Sequence, residues 1–238
     1  MNAHATDRSG DCRNVGVTST IRGIDILLVC TANQCRSPMA EGLLRRLLAR
    51  AGVGATVGSA GLLPGGARAT ADAVATMAAR GVDIRDHVSR TVDAGTVRST
   101  PLIIAMTRAH VREVCADHGA PMERTFTLKE IVRRGEQVGG RLPGEPVPRW
   151  LARLDAQRRP ADLTGDDPID DIADPVGRPR PVYEATADQL SDHLQRFVLL
   201  LAGGPPRSAA YAEGPRAREG VIRGSDLARD PIPGYSRR

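Results

Sequence analysis

Apolar residues in this chain fall into short solid runs that alternate with stretches of helical spacing. Ile24-Asp25-Ile26-Leu27-Leu28-Val29 is mostly apolar and of strand length, as a strand buried on both faces requires. From Pro38 onward, Met39, Leu43 and Leu47 recur at helical spacing beside Leu44 and Leu48, and Pro38 suits a first helical turn. Read the same way, the chain predicts strands near 24–30, 55–59, 101–106 and 124–128. Helices are predicted near 37–51, 70–80, 108–118, 129–134, 148–158 and 183–201, with Gly52 and Gly81 as stops for the first two. Such alternation predicts an α/β fold, a parallel sheet covered by helices on both faces.

The first strand ends in Cys30-Thr31-Ala32-Asn33-Gln34-Cys35-Arg36-Ser37, directly before the first helix. Free N–H groups and the helix dipole favour an anion at such a junction. Successive loop amides can form a nest around phosphate oxygens. Arg36 adds a planar fork that grips two of them. The same positive field favours the thiolate of Cys30. A buried structural cysteine beside a capping serine is the bland alternative; the coincidence of strand, loop, Arg-Ser-Pro and helix argues against it.

These residues resemble the signature of the low-molecular-weight protein tyrosine phosphatase family, Cys-x-Gly-Asn-x-Cys-Arg-Ser, with Ala32 in place of the usual glycine. Further segments resemble it in order and spacing: Ser59-Ala60-Gly61, Gly81-Val82-Asp83, His87-Val88-Ser89-Arg90, Leu102 to Thr107 followed by His110, and Asp174-Pro175 before the last helix. The likeness is greatest to the bacterial branch and covers roughly residues 24 to 201. It implies a four-stranded parallel sheet of the phosphotyrosine phosphatase I type, a Rossmann-like three-layer sandwich, with Cys30 at the carboxyl edge where such sheets bind ligands.

The resemblance also implies roles. Cys30 would attack phosphorus and form a cysteinyl-phosphate, with charge neutralisation by Arg36 and the loop Thr31, Ala32, Asn33, Gln34, Cys35 and Ser37. Asp174 would protonate the leaving group and then activate water; Asp167, also before a proline, is the competing acid. Asn33 would accept a left-handed backbone, Ser37 would bond the Cys30 sulfur, and Ser59 and His87 would brace the loop. Cys35 could form a reversible disulfide with Cys30, or simply fill space beneath the loop. No metal or cofactor is implied. The substrate would be a phosphotyrosine protein or small aryl phosphate, although the places that line the cleft with aromatics in the family hold Gly65 and Val176. Trp150 lies in an apparent insertion, about 136–166, where packing is its first expected use and a cleft wall the alternative.

Composition alters this picture little. At 238 residues and 41% hydrophobic content the chain can bury a large core. A polar leader, 1–21, is expected to be disordered, with residues 22–202 forming the phosphatase domain and 203–238 a disordered basic tail. The leader lacks an apolar segment typical of a signal peptide. Four cysteines, Cys12, Cys30, Cys35 and Cys115, then predict reduced thiols in a cytoplasmic monomer. No apolar stretch has the length of a membrane span. The tail holds seven arginines and four acids, and so supplies +3 of the net +5; dispersed arginines without interleaved aromatics do not predict nucleic-acid binding. Tyr211 and Tyr235 are exposed candidates for modification there. Gly65-Gly66 lacks the ending of a nucleotide loop. Two rivals are an arsenate reductase on the same fold, for which Cys115 is the one thiol in the region of the resolving pair, and a non-catalytic phosphate-binding module.

Overall fold

The computed structural model describes residues 24–203 apart from residue 157. The predicted leader with Cys12 and the tail residues Tyr211 and Tyr235 lie outside the described residues. Four strands, β1 (Ile24–Cys30), β2 (Ala55–Gly61), β3 (Leu102–Ala105) and β4 (Thr125–Thr127), form one sheet in the order β2-β1-β3-β4, every neighbouring pair parallel. Among the described residues, seven α-helices connect and follow them: α1 (Arg36–Arg50), α2 (Ala71–Ala78), α3 (Ala94–Ser99), α4 (Arg108–His118), α5 (Leu128–Val138), α6 (Val147–Asp155) and α7 (Arg180–Leu201).

The alternation of side chains along β1 divides the core. Ile26, Leu28 and Cys30 join the larger cluster with Met39, Leu43, Phe197 and Trp150. Leu27 and Val29 face the opposite way, toward Val97 and Val114 of α3 and α4. Both faces are covered, so the sheet is the middle layer of three. Because β1 leads out to β2 on one side while β3 lies on the other, the chain changes winding direction between β1 and β3. Ligands bind in the crevice outside the carboxyl ends at such a point. Cys30 is the last residue of β1.

Local signals set most helix starts. Thr70, Asp93, Thr107 and Thr127 each accept a bond from the backbone N–H three residues on, capping α2, α3, α4 and α5. Among the differences from the predicted elements, three have a visible cause. α3 escaped because six residues with only Val97 buried show no period. α5 continues through Gly135 to Val138, not stopping at 134, because the glycine lets α7 approach: a Cβ there would lie 2.7 Å from Leu200 Cδ1. α7 starts at Arg180 because Pro181 is tolerated in a first turn.

The 136–166 segment is built into the core. Trp150, Leu151 and Leu154 of α6 are all buried in the larger cluster. The Trp150 ring is fully covered, 6.4 Å from that of Phe197, and its N–H donates to Gly139 O at 3.3 Å. Packing is therefore its use, and the cleft-wall alternative falls. No helix among the described residues is long and apolar enough to cross a membrane.

Candidate active site

The loop between β1 and α1 leads into a helix N-terminus of the kind that can seat an anion. Its last residue, Cys35, makes no side-chain cap bond and the first turn of α1 holds no acid. The first-turn N–H groups thus keep no side-chain acceptor. Facing them across the loop, the Cys30 sulfur lies 3.0 Å from Ser37 Oγ. That hydroxyl accepts a bond from Asn33 Nδ2 at 2.8 Å, so its own proton is free for the sulfur.

Asn33 holds the loop in shape. Its φ of +53° makes it the one non-glycine residue of positive φ among those described, a conformation its short side chain tolerates. The second Nδ2 hydrogen goes to Ser59 Oγ at 2.8 Å, and Oδ1 accepts from Arg90 N at 2.9 Å. Its carbonyl accepts from His87 Nε2 at 2.8 Å. Ser59 in turn donates to Glu41, which is ion-paired with Arg45 at 2.6 Å. Ser59 and His87 are thus both in contact with the loop. Gly61 is needed for a different reason: a Cβ would stand 2.8 Å from Ala32 C and Asn33 N, inside the loop backbone. Ala32 itself has no positive φ, so a methyl group replaces the usual glycine hydrogen without backbone strain.

Arg36 joins this loop to the segment before α7. Nη2 donates to Thr31 Oγ1 at 3.0 Å and to Asp174 Oδ2 at 2.6 Å, and Nη1 to Ile172 O at 3.3 Å. Arg36 is buried while the Asp174 side chain is 43% exposed, so one end of the pair faces solvent. Asp174 is held in place from beneath: Ile172 N donates to Met106 O at the end of β3, and Asp171 accepts from Arg108 N at 2.7 Å. Asp170, buried, pairs with Arg108 and Arg133. The competing Asp167 belongs to that supporting network, 3.3 Å from Arg108.

Other candidates divide. Thr31 and Gln34 are half-buried in the loop; Thr31 also contacts His110 Nε2 at 2.9 Å. Cys35 is buried with its sulfur 3.7 Å from Met39 Sδ. Burial foremost, then the charges of Asp174 and Cys30, push its thiol up to about 12, so it packs as a neutral side chain. Gly65 is not a cleft position, because a Cβ there would meet Ser89 O at 2.6 Å. The exposed apolar residues nearby are Leu63, whose amide donates to Thr31 O, and Val176, whose amide donates to Asp174 Oδ1. Cys115 packs on the opposite face of the sheet from Cys30, its thiol raised by burial.

Asp170 and Asp171 went unnoticed in the sequence, and Glu41 and Arg90 were given no role, because they act through tertiary hydrogen bonds with no local pattern. His110 was visible only as part of a resemblance. What the assembled site can do is seat a tetrahedral oxyanion against a sulfur, with a cation on one side and a carboxylate within reach of both.

A cysteine–arginine anion loop after the first strand of a doubly wound parallel sheet, met by an aspartate from a later loop, defines a class of cysteine-dependent phosphatases. Comparison with known proteins narrows it. Residues 25–143 match the model of the low molecular weight phosphotyrosine protein phosphatases. The chain is 30% identical over 177 residues to the protein-arginine-phosphatase of Bacillus subtilis, covering 74% of this chain and 95% of that one. It is 38% identical over 182 residues to the probable low molecular weight protein-tyrosine-phosphatase AmsI of Erwinia amylovora, covering 74% and 96%. The crystal structure of a low molecular weight protein tyrosine phosphatase from T. tengcongensis superposes with a TM-score of 0.57 at 27% identity, covering 74% of this chain and 98% of that one. This chain belongs to the low molecular weight phosphotyrosine protein phosphatase family.

Proposed function

We propose that the protein hydrolyses phosphate monoesters on proteins, phosphotyrosine above all, with Cys30 as nucleophile. The thiolate attacks phosphorus in line while the bond to the leaving oxygen breaks, and Asp174 in its acid form gives that oxygen a proton. The resulting carboxylate then takes a proton from water. The water oxygen attacks phosphorus, the S–P bond breaks and inorganic phosphate leaves. Arg36 and the loop N–H groups balance the charge of the equatorial oxygens in both steps. The Ser37 hydroxyl steadies the sulfur as it departs. Thr31, Ala32, Asn33, Gln34 and Cys35 supply the loop, with Ser59 and His87 as its braces.

The observation that supports this reading best is Arg36 reaching the nucleophile's loop and Asp174 at once. With no added metal, p-nitrophenyl phosphate should be turned over and vanadate should block it. Cys30→Ser should abolish turnover. Full activity in Cys30→Ser would end the proposal. The arsenate reductase alternative loses support because Cys115 and Cys30 lie in clusters on opposite faces of the sheet. In the same reading, the unit spanning 22–202 acts as a cytoplasmic monomer.

A second reading concerns the leaving group. The relative in Bacillus subtilis is named a protein-arginine-phosphatase, and the exposed large apolar side chains beside the loop and Asp174 here are Leu63 and Val176, not aromatic rings. An aliphatic rim gives a phenyl ring no stacking partner and suits an extended phosphoguanidinium equally well. Comparing kcat/KM for phosphotyrosine and phosphoarginine peptides decides between them.

A further inference from the structure

We propose that His110 is a positioning residue for the arginine that grips phosphate, acting through the hydroxyl of Thr31. The proposal rests on the reading that Arg36 holds the substrate's phosphoryl group.

His110 sits in the first turn of α4, its backbone N–H tied to Thr107 Oγ1 at 3.2 Å. The side chain is buried, and Nε2 lies 2.9 Å from Thr31 Oγ1. The other ring nitrogen, Nδ1, is buried with no hydrogen-bond partner. Leaving a buried polar atom unpaired is costly. A leucine or phenylalanine would fill the same space without that cost, so the ring is there for what Nε2 does. Burial, with the positive charge of Arg36 second, lowers the imidazole to about 4. It is therefore neutral at physiological pH and can accept as well as donate.

The direction of the chain follows from Arg36, which has only donors. Nη2 donates to Thr31 Oγ1, and the adjacent cation polarises that hydroxyl so that its proton points away, to Nε2. Arg36 N–H, Thr31 O–H and the imidazole lone pair then form a one-way relay in which each bond strengthens the next. The ring proton is on Nδ1. Of the three acceptors that hold the guanidinium, Ile172 O and Asp174 belong to the acid loop, and Thr31 Oγ1 alone belongs to the anion loop. When a phosphate dianion draws Arg36 from Asp174, Thr31 is the neutral anchor that keeps its plane, and His110 fixes the angle of Thr31. Thr31 accordingly serves the site as an acceptor, with no proton left for substrate.

Four proteins test this: wild type, Thr31→Val, His110→Phe and the double variant. Kinetics with p-nitrophenyl phosphate and calorimetric affinity for inorganic phosphate are read on each. Each single change should lower kcat/KM roughly fivefold, mostly through KM, and weaken phosphate to a similar degree. The double variant should be no worse than either single one, because both cut the same link. Fold losses that multiply in the double variant would overturn the proposal and leave His110 a core residue. Thr31→Val leaves α4 intact, so activity within twofold of wild type there overturns it even if His110→Phe does not fold. Nitrogen chemical shifts of wild-type His110 should show Nε2 without a proton; a protonated Nε2 overturns the relay. If wild type fails to turn over p-nitrophenyl phosphate yet binds phosphate, the functional reading falls and the phosphate affinities decide the link by the same comparison. Wild type that binds no phosphate overturns both.

Discussion

Arg36 Nη2 donates to Asp174 Oδ2 at 2.6 Å, linking the cation proposed to grip phosphate to the carboxylate proposed as acid. Nη2 has two hydrogens, and Thr31 takes the other. A side-on grip of phosphate by Nε and Nη2 therefore competes with Asp174. Once phosphate claims the guanidinium, Asp174 loses its counter-charge and gains a neighbouring anion.

Removing the competitor should therefore have opposite effects on binding and turnover. We expect Asp174→Ala to bind inorganic phosphate several-fold more tightly, by titration calorimetry, while kcat for p-nitrophenyl phosphate falls by about 10²–10⁴. Weaker phosphate binding in this variant would mean that the ion pair holds Arg36 ready for phosphate and does not withhold it.

Asn33 combines a backbone and a side-chain requirement, and two substitutions separate them. Glycine keeps the left-handed φ and loses the bonds to Ser37, Ser59 and Arg90; alanine loses both. Asn33→Ala should cost about 1 kcal/mol more stability than Asn33→Gly. Both should lose most activity, since the Ser37 proton is no longer directed to Cys30. Equal midpoints in urea for the two variants would remove the backbone argument.

The parts of this site that were legible in the sequence are those encoded locally. Cys30 through Ser37 is contiguous, so strand, loop and helix onset could be read from period and residue type. Asp174 needed the resemblance, because nothing in its own surroundings separates it from Asp167. The distinction is tertiary: Ile172 N finds Met106 O, and Asp170 and Asp171 take Arg108 and Arg133, which aims the next aspartate at Arg36. α3 and the continuation of α5 through Gly135 were hidden for a similar reason. Their signal is one buried valine in the first case and a helix contact across the fold in the second.

Trp150 should matter to stability and not to substrate. Its ring fills the space between α6 and α7 against Phe197, and no part of it is exposed. Trp150→Phe, which keeps most of the apolar volume but forfeits the bond to Gly139 O, should cost about 1–2 kcal/mol; Trp150→Ala should cost about 3–5 kcal/mol. KM for p-nitrophenyl phosphate should be unchanged in whichever variants remain folded. A KM that rises with truncation would return this residue to the cleft.

The buried imidazole of His110 also predicts how stability depends on pH. Its folded value, about 4, lies below the ordinary 6.5 because burial and the nearby Arg36 charge both penalise the cation. As pH falls through 6.5, the unfolded chain takes up a proton that the folded chain refuses, so unfolding gains. The loss continues until the folded ring also titrates near pH 4, and between pH 7 and 5 it amounts to ~2 kcal/mol. Above pH 7 the contribution is flat. Glutamine has no proton to take up in this range, so His110→Gln should start less stable at pH 7 yet lose less on acidification. His193, which burial also lowers, is present in both proteins and cancels in the comparison. Urea midpoints at pH 7, 6 and 5 should converge for wild type and variant; parallel lines would show that the folded protein protonates His110 as readily as the unfolded chain does.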